Sequence, residues 1–212
     1  MSVIGLMKKV KAQILSLNNH PVNDLDIEKK LHYLNGLALV MNEDDDIADK
    51  EKDYLSILIN SFGFSNEHIE SVIEFAKNPD EKALIEMMNS FDTKDLKYLF
   101  LFDCIFLAGL DSGINQHEEV LIGEYAETLS LIDKELNNIY SLYNAIKAKH
   151  IFQISILFMN ENNFKMEQFQ YILDYCHINV SENDIPFEER FKKLEDQDGT
   201  DKKTIAKKCI EF

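Results

Sequence analysis

Laying the chain over itself with a shift of 98 − 31 = 67 positions places residues 31–64 on residues 98–131. Fifteen of the paired positions are apolar in both copies, among them Leu34 with Leu101, Val40 with Leu107, Leu55 with Ile122 and Phe62 with Leu129. Apolar coincidence alone can arise from any two helices. Here the connecting loops coincide too, because Asp44, Ile47 and Glu51 fall on Asp111, Ile114 and Glu118 and give D-x-x-I-x-x-x-E twice. A pattern that repeats both an apolar face and a loop at one fixed period indicates a duplicated helix-loop-helix.

Composition narrows the class further. Only 7 Gly and 3 Pro occur in 212 residues, too few turn formers for an all-β sandwich or a doubly wound sheet. The expected fold is an all-α helical bundle, its duplicated helix-loop-helix units related by a pseudo-twofold axis, with a C-terminal helical extension. Helix starts are written at Asp24, at Asn78-Pro79-Asp80-Glu81, at Asp92 or Thr93, at Asn115 and at Asp133, where short polar side chains can accept orphan amides and acids meet the helix dipole. Residues 1–24 read as an N-terminal amphipathic helix, with Val3, Leu6, Met7, Val10, Ile14 and Leu17 at helical spacing. The duplicated domain takes residues 25–150. Residues 151–212 form the extension: helical spacing over 151–175, a Pro186-containing linker, an exposed helix over Phe187–Gln197 and a lysine-bearing end.

The formal charge is 22 − 38 = −16. Such a chain repels a phosphate backbone, and no nucleic acid is expected as a partner. The longest nearly apolar run, Tyr98 to Leu110, is interrupted by Asp103 and is shorter than the roughly 20 residues of a membrane span. Cys104, Cys176 and Cys209 are widely spaced, odd in number and form no CxxC, which fits free thiols in a reducing cytoplasm. Lys8, Lys9 and Lys11 permit peripheral contact of the N-terminal helix with an anionic membrane. Packing of its apolar stripe on the domain is the plainer reading.

The stretch Leu37-Ala38-Leu39-Val40-Met41-Asn42-Glu43-Asp44-Asp45-Asp46-Ile47-Ala48-Asp49-Lys50-Glu51, followed by Phe62-Gly63-Phe64-Ser65, resembles a half repeat of the TerB-like, tellurite-resistance family. Leu107-Ala108-Gly109-Leu110-Asp111-Ser112-Gly113-Ile114-Asn115-Gln116-His117-Glu118 is similar to the second half. The likeness covers about residues 25–150. It implies an all-helical pseudo-twofold bundle without recognised catalytic activity, at work in bacterial stress responses, whose loop acids hold a cation. Asp45 and Ser112 stand where that family has glycine.

The loop acids have two readings of their own. Asp44, Asp45 and Asp46 crowd three like charges into one turn, which water or a hard divalent cation such as Ca²⁺ or Mg²⁺ would relieve. The spacing is not that of an EF-hand, since Leu55 falls where the bidentate Glu belongs. Asn115 and Glu118 form N-x-x-E, a relative of the capping box, which accounts for Glu118 without a ligand. In the first copy Ala48 holds the cap position, so either Asp49 substitutes or Glu51 is released for another task. The candidate cation residues are therefore Asp44, Asp46 and Glu51, with Asp111 and Glu118 as the weaker second set.

Elsewhere, Asp103 must find a partner or take up a proton inside its apolar run. Cys176 and His177 are adjacent, and helix neighbours point about 100° apart, so they make no nucleophile-base pair. The chain has no P-loop, GxSxG, GxGxxG or HExxH. No enzyme is expected. The leading expectation is a module that binds a protein partner. The alternative is an acidic immunity or antitoxin protein that neutralises a basic toxin, and a weak hydrolase built on the acidic loops ranks last.

Overall fold

The computed structural model describes residues 17, 19–43, 48–65, 67–111, 113–159 and 164–180. After a 3-10 turn at Pro21–Asp24, its helices are α1 (Ile27–Met41), α2 (Asp49–Ser61), α3 (Glu67–Lys77), α4 (Glu81–Ser90), α5 (Lys94–Ala108), α6 (Gln116–Thr128), α7 (Asp133–Lys147), α8 (Ile151–Met159) and α9 (Met166–Tyr175). No strand occurs among the described residues. The fold is an all-α bundle.

Local chemistry sets most of the helix starts. Asp26, Asp80 and Thr93 each accept the amide three residues on, from Lys29, Ala83 and Leu96, which satisfies one of the orphan donors of a helix N-terminus. Two expected starts shift. Asp24 belongs to the 3-10 turn, and the cap of α1 is Asp26. Asp133 is the first residue of α7 rather than its cap; the cap position is Ile132, whose amide donates to Glu135 Oε2 at 3.0 Å. A glutamate three residues in can serve an end whose cap residue has no acceptor.

The duplication is visible residue by residue. Helix α5 begins and ends at the bounds of α1 moved on by one repeat period, 94 against 27 and 108 against 41, and α6 does the same against α2, 116 against 49 and 128 against 61. The ends of α2 and α6 are built alike. Gly63 (φ +88°) and Ser130 (φ +62°) turn left-handed, and the next amides, of Phe64 and Leu131, donate back to the Ile59 and Ala126 carbonyls at 3.0 and 2.9 Å. This Schellman closure favours glycine, and Ser130 adopts it with a Cβ. Lysines complete both ends: Lys30 Nζ donates to the Phe62 carbonyl at 3.3 Å, and Lys97 Nζ to the Leu129 carbonyl at 2.8 Å. Each places a cation at the negative end of a helix dipole.

In the centre, α1 packs against α3, α4 and α5, while α5 packs against α6 and α7. Helix α5 is buried on almost every side, from Leu96 to Ala108, as its nearly apolar run requires. One core joins Leu34 and Leu37 of α1, Phe100 and Phe102 of α5, Ile154 of α8 and Phe169 of α9. Each such fully buried side chain stabilises by roughly 1.5–3 kcal/mol. No helix among the described residues is long and apolar enough to cross a membrane.

Candidate functional site

Of the five candidate cation residues, Asp44 and Asp46 lie outside the described residues. Glu51 is buried, and its Oε2 accepts the Ala48 amide at 2.9 Å. Glu118 is buried in the same way and accepts the Asn115 amide at 2.8 Å. Both glutamates therefore hold the start of their own helix. The two copies differ only in the reciprocal half: Asn115 Oδ1 accepts the His117 and Glu118 amides, whereas Ala48 has no side-chain acceptor. The absence of a capping side chain at Ala48 thus does not release Glu51 from helix capping.

Asp111 is exposed after α5. Lys50 in the first turn of α2 donates to the neighbouring Leu110 carbonyl at 3.4 Å, so the start of α2 and the second loop lie side by side. Among the described residues, no group of three or more His, Cys, Asp or Glu is placed to hold a metal ion.

The most concentrated polar chemistry surrounds Asp103, which is fully buried in α5. Its Oδ2 accepts from Tyr33 Oη of α1 at 2.7 Å and from His20 Nε2 at 2.8 Å, and its Oδ1 accepts from Tyr171 Oη of α9 at 2.5 Å. The His20 tautomer follows from the other ring nitrogen. Nδ1 accepts the Val22 amide at 3.2 Å, so the proton sits on Nε2 and the ring donates to the carboxylate as a neutral imidazole. Burial first and the Asp103 charge second push the Tyr33 and Tyr171 phenols well above their ordinary range. Both remain protonated donors. Three donors on one carboxylate supply much of what water would have given it.

The pseudo-twofold gives this cluster an apolar counterpart. Shifting by 67 relates His20 to Met87, Tyr33 to Phe100 and Gly36 to Asp103. Phe100 and Met87 meet at Gly36, where a Cβ would stand 2.6 Å from Phe100 Cζ and 3.4 Å from Met87 Sδ. Tyr33 and His20 meet correspondingly at Asp103. Reciprocal contacts of this kind, i to j + 67 and i + 67 to j, are what a twofold relation between copies produces. Tyr33 and Phe100, which the repeat equates, have ring centroids 5.5 Å apart.

Asp103 is therefore a satisfied core acid, one of the two outcomes its sequence context allowed. Its partners carried no local signal. His20, Tyr33 and Tyr171 lie 83, 70 and 68 positions away in sequence. Only the break that Asp103 makes in the Tyr98–Leu110 apolar run marked the place. Cys176 caps α9, and His177 lies beyond it at φ +54°, so the helical geometry assumed for this pair does not apply. Burial pushes the Cys176 thiol up to about 11. Compared with protein-family models, with curated proteins and with solved structures, the chain matches none.

Proposed function

We propose that this chain is a cytoplasmic, non-catalytic binding module of the TerB-like stress-response type, which acts by engaging a protein partner and holds a divalent cation weakly at its acidic loops. The observation that carries the reading is the doubled helix-loop-helix: α1-α2 and α5-α6 share their bounds at a spacing of 67, with Glu51 and Glu118 at the same place in each second helix. The Lys50 bond to the Leu110 carbonyl, which brings the start of α2 beside the second loop, supports the reading. Asp44 and Asp46 supply the cation's main oxygens in this reading, and Asp111 the second loop's. Water completes the shell, which keeps affinity on the order of 0.1–1 mM.

Calorimetric titration with Ca²⁺ and with Mg²⁺ tests the cation half. Heat in the native chain that disappears in Asp44→Asn/Asp46→Asn supports it, and identical traces reject it. Growth of a deletion strain on tellurite tests the stress half. A charge of −16 also favours a second reading, an acidic immunity protein steered to a basic toxin. Capture of a cationic toxin encoded beside this chain would favour that reading over the first.

A further inference from the structure

Helix α9 belongs to neither copy of the repeat. Its cap position is Lys165, whose side chain offers no acceptor to the first-turn amides, and ten residues make a marginal helix unless packing holds them. That packing comes chiefly from α5. Along the inner face of α9, Phe169 meets Phe102 with ring centroids 5.1 Å apart, Tyr171 reaches Asp103, and Tyr175 meets Phe106 at 6.1 Å and Tyr54 of α2 at 5.5 Å.

The two polar groups under this face are served unequally. Asp103 receives one of its three donors from Tyr171. Tyr54 is only 1% exposed, yet among the described residues its hydroxyl has no hydrogen-bond partner. Burial first, then the neighbouring Asp103, Tyr175 and Cys176, push its phenol well above the ordinary range, so the hydroxyl lies at the seam of α2, α5 and α9. A buried hydroxyl left without a partner costs free energy that water returns once the place opens. Closure of α9 therefore gains a bond to the carboxylate and forfeits one to Tyr54.

The segment before α1 is tied to the same point. His20 donates to the other carboxylate oxygen at 2.8 Å, and its ring centroid lies 4.1 Å from that of Tyr171. Leu17 and Val22 are buried beside it, and the Leu17 amide donates to Ser61 Oγ at 2.9 Å. When either donor leaves, a buried carboxylate is short of a bond, which draws in water and weakens the hold of the other. We infer that α9 is a strap over the α2-α5 seam that opens without the rest of the bundle, and that His20 is the catch that holds it shut. Open, the strap uncovers the side of α5 that carries Phe102, Phe106 and Asp103, with the Tyr54 hydroxyl beside it.

Hydrogen exchange on the full chain, resolved by segment, tests the inference. In the native chain the amides of 170–175 should exchange at least about tenfold faster than those of α5. Tyr54→Phe removes the partnerless hydroxyl and keeps the ring, so it should slow exchange at 170–175 about tenfold and leave α3 and α4 unchanged. His20→Phe should do the reverse, speeding 170–175 about tenfold with α3 and α4 again unchanged. Val22→Ala, a milder way to loosen the same segment, should act in the direction of His20→Phe. Exchange of α9 at the rate of α5 in the native chain overturns the inference, because the helix then opens only with the whole bundle. So does a Tyr54→Phe chain whose α9 exchanges as before or faster. Val22→Ala and His20→Phe effects confined to residues 17–25 overturn the catch, and Val22→Ala decides that point alone where His20→Phe does not fold.

Discussion

Gly109 and Tyr143 share one space: a Cβ on Gly109 would stand 1.9 Å from Tyr143 Oη. The first copy solves the same contact the other way round, with Asn42 Nδ2 donating to the carbonyl of Ala76 at 3.4 Å; 42 + 67 = 109 and 76 + 67 = 143. A larger side chain sits at the α1 end where the α3 residue is small, and glycine at the α5 end where the α7 residue is tyrosine. Tyr143 is itself held by Lys147 Nζ at 2.8 Å, so it cannot simply swing aside.

Gly109→Ala should therefore destabilise the fold by about 1–3 kcal/mol, the usual cost of overpacking a filled core. In Gly109→Asn/Tyr143→Ala, which copies the first half, the two changes should be less harmful together than the sum of the single variants. Urea denaturation followed by circular dichroism measures both. Strict additivity would show that the two positions do not share a space.

At the polar centre, Tyr171→Phe removes one bond to a buried carboxylate and should cost about 1.5–3 kcal/mol. Asp103→Asn replaces an acceptor facing three donors with a group that also donates, and should cost more, about 3–5 kcal/mol. The order matters more than the values. A Tyr171→Phe variant less stable than Asp103→Asn would contradict the view that the carboxylate is the shared acceptor.

Acid should weaken the α5-α7 junction in a defined window. Glu135 is pulled from 4.5 down to about 2, first by the Lys94 ammonium, with the Tyr98 hydroxyl and the Ile132 amide adding to it against burial. A carboxyl whose folded value lies below its unfolded one stabilises the fold fully above about pH 4.5. That contribution is lost as the pH falls from there to about 2. Its ceiling is about 3 kcal/mol, and the working value is smaller because Lys94 is 59% exposed and screened. Glu135→Gln should flatten the stability curve between those limits, as read by urea midpoints at successive pH values; an unchanged slope would refute the assignment.

Thiol chemistry should separate the cysteines. Burial first, and the Asp103 charge next to it, push the Cys104 thiol well above its ordinary range, so it should react with a thiol reagent at pH 8 only on unfolding. Half-buried Cys176 should react slowly. Denatured, unreduced protein should titrate as three thiols, and a count of one would mean a disulfide.

The helices were legible because they are written twice. A fixed spacing averages out local ambiguity, and Thr93, Asn115 and Asp80 announce their ends with their own side chains. Where an end is served from three residues inside, as Glu135 serves Ile132, the sequence points to the wrong residue, Asp133. Glu51 was ambiguous for the same reason, since a glutamate three places into a helix reads equally as ligand and as cap. The Asp103 cluster was legible only as a need. Tyrosine and histidine are as common in cores as in sites, and no local pattern singles out Tyr171 from the other tyrosines.

The Asp103 carboxylate also joins segments that are synthesised at very different times. Its three donors come from a segment before α1, from α1 and from α9. During synthesis α5 is complete at Ala108, but the last donor, Tyr171, is added only after α6, α7 and α8 have been made. Until then the carboxylate lacks one of the three donors that surround it in the finished fold. Contacts so distant in sequence slow folding, and this one can form only once the C-terminal third of the chain has been made.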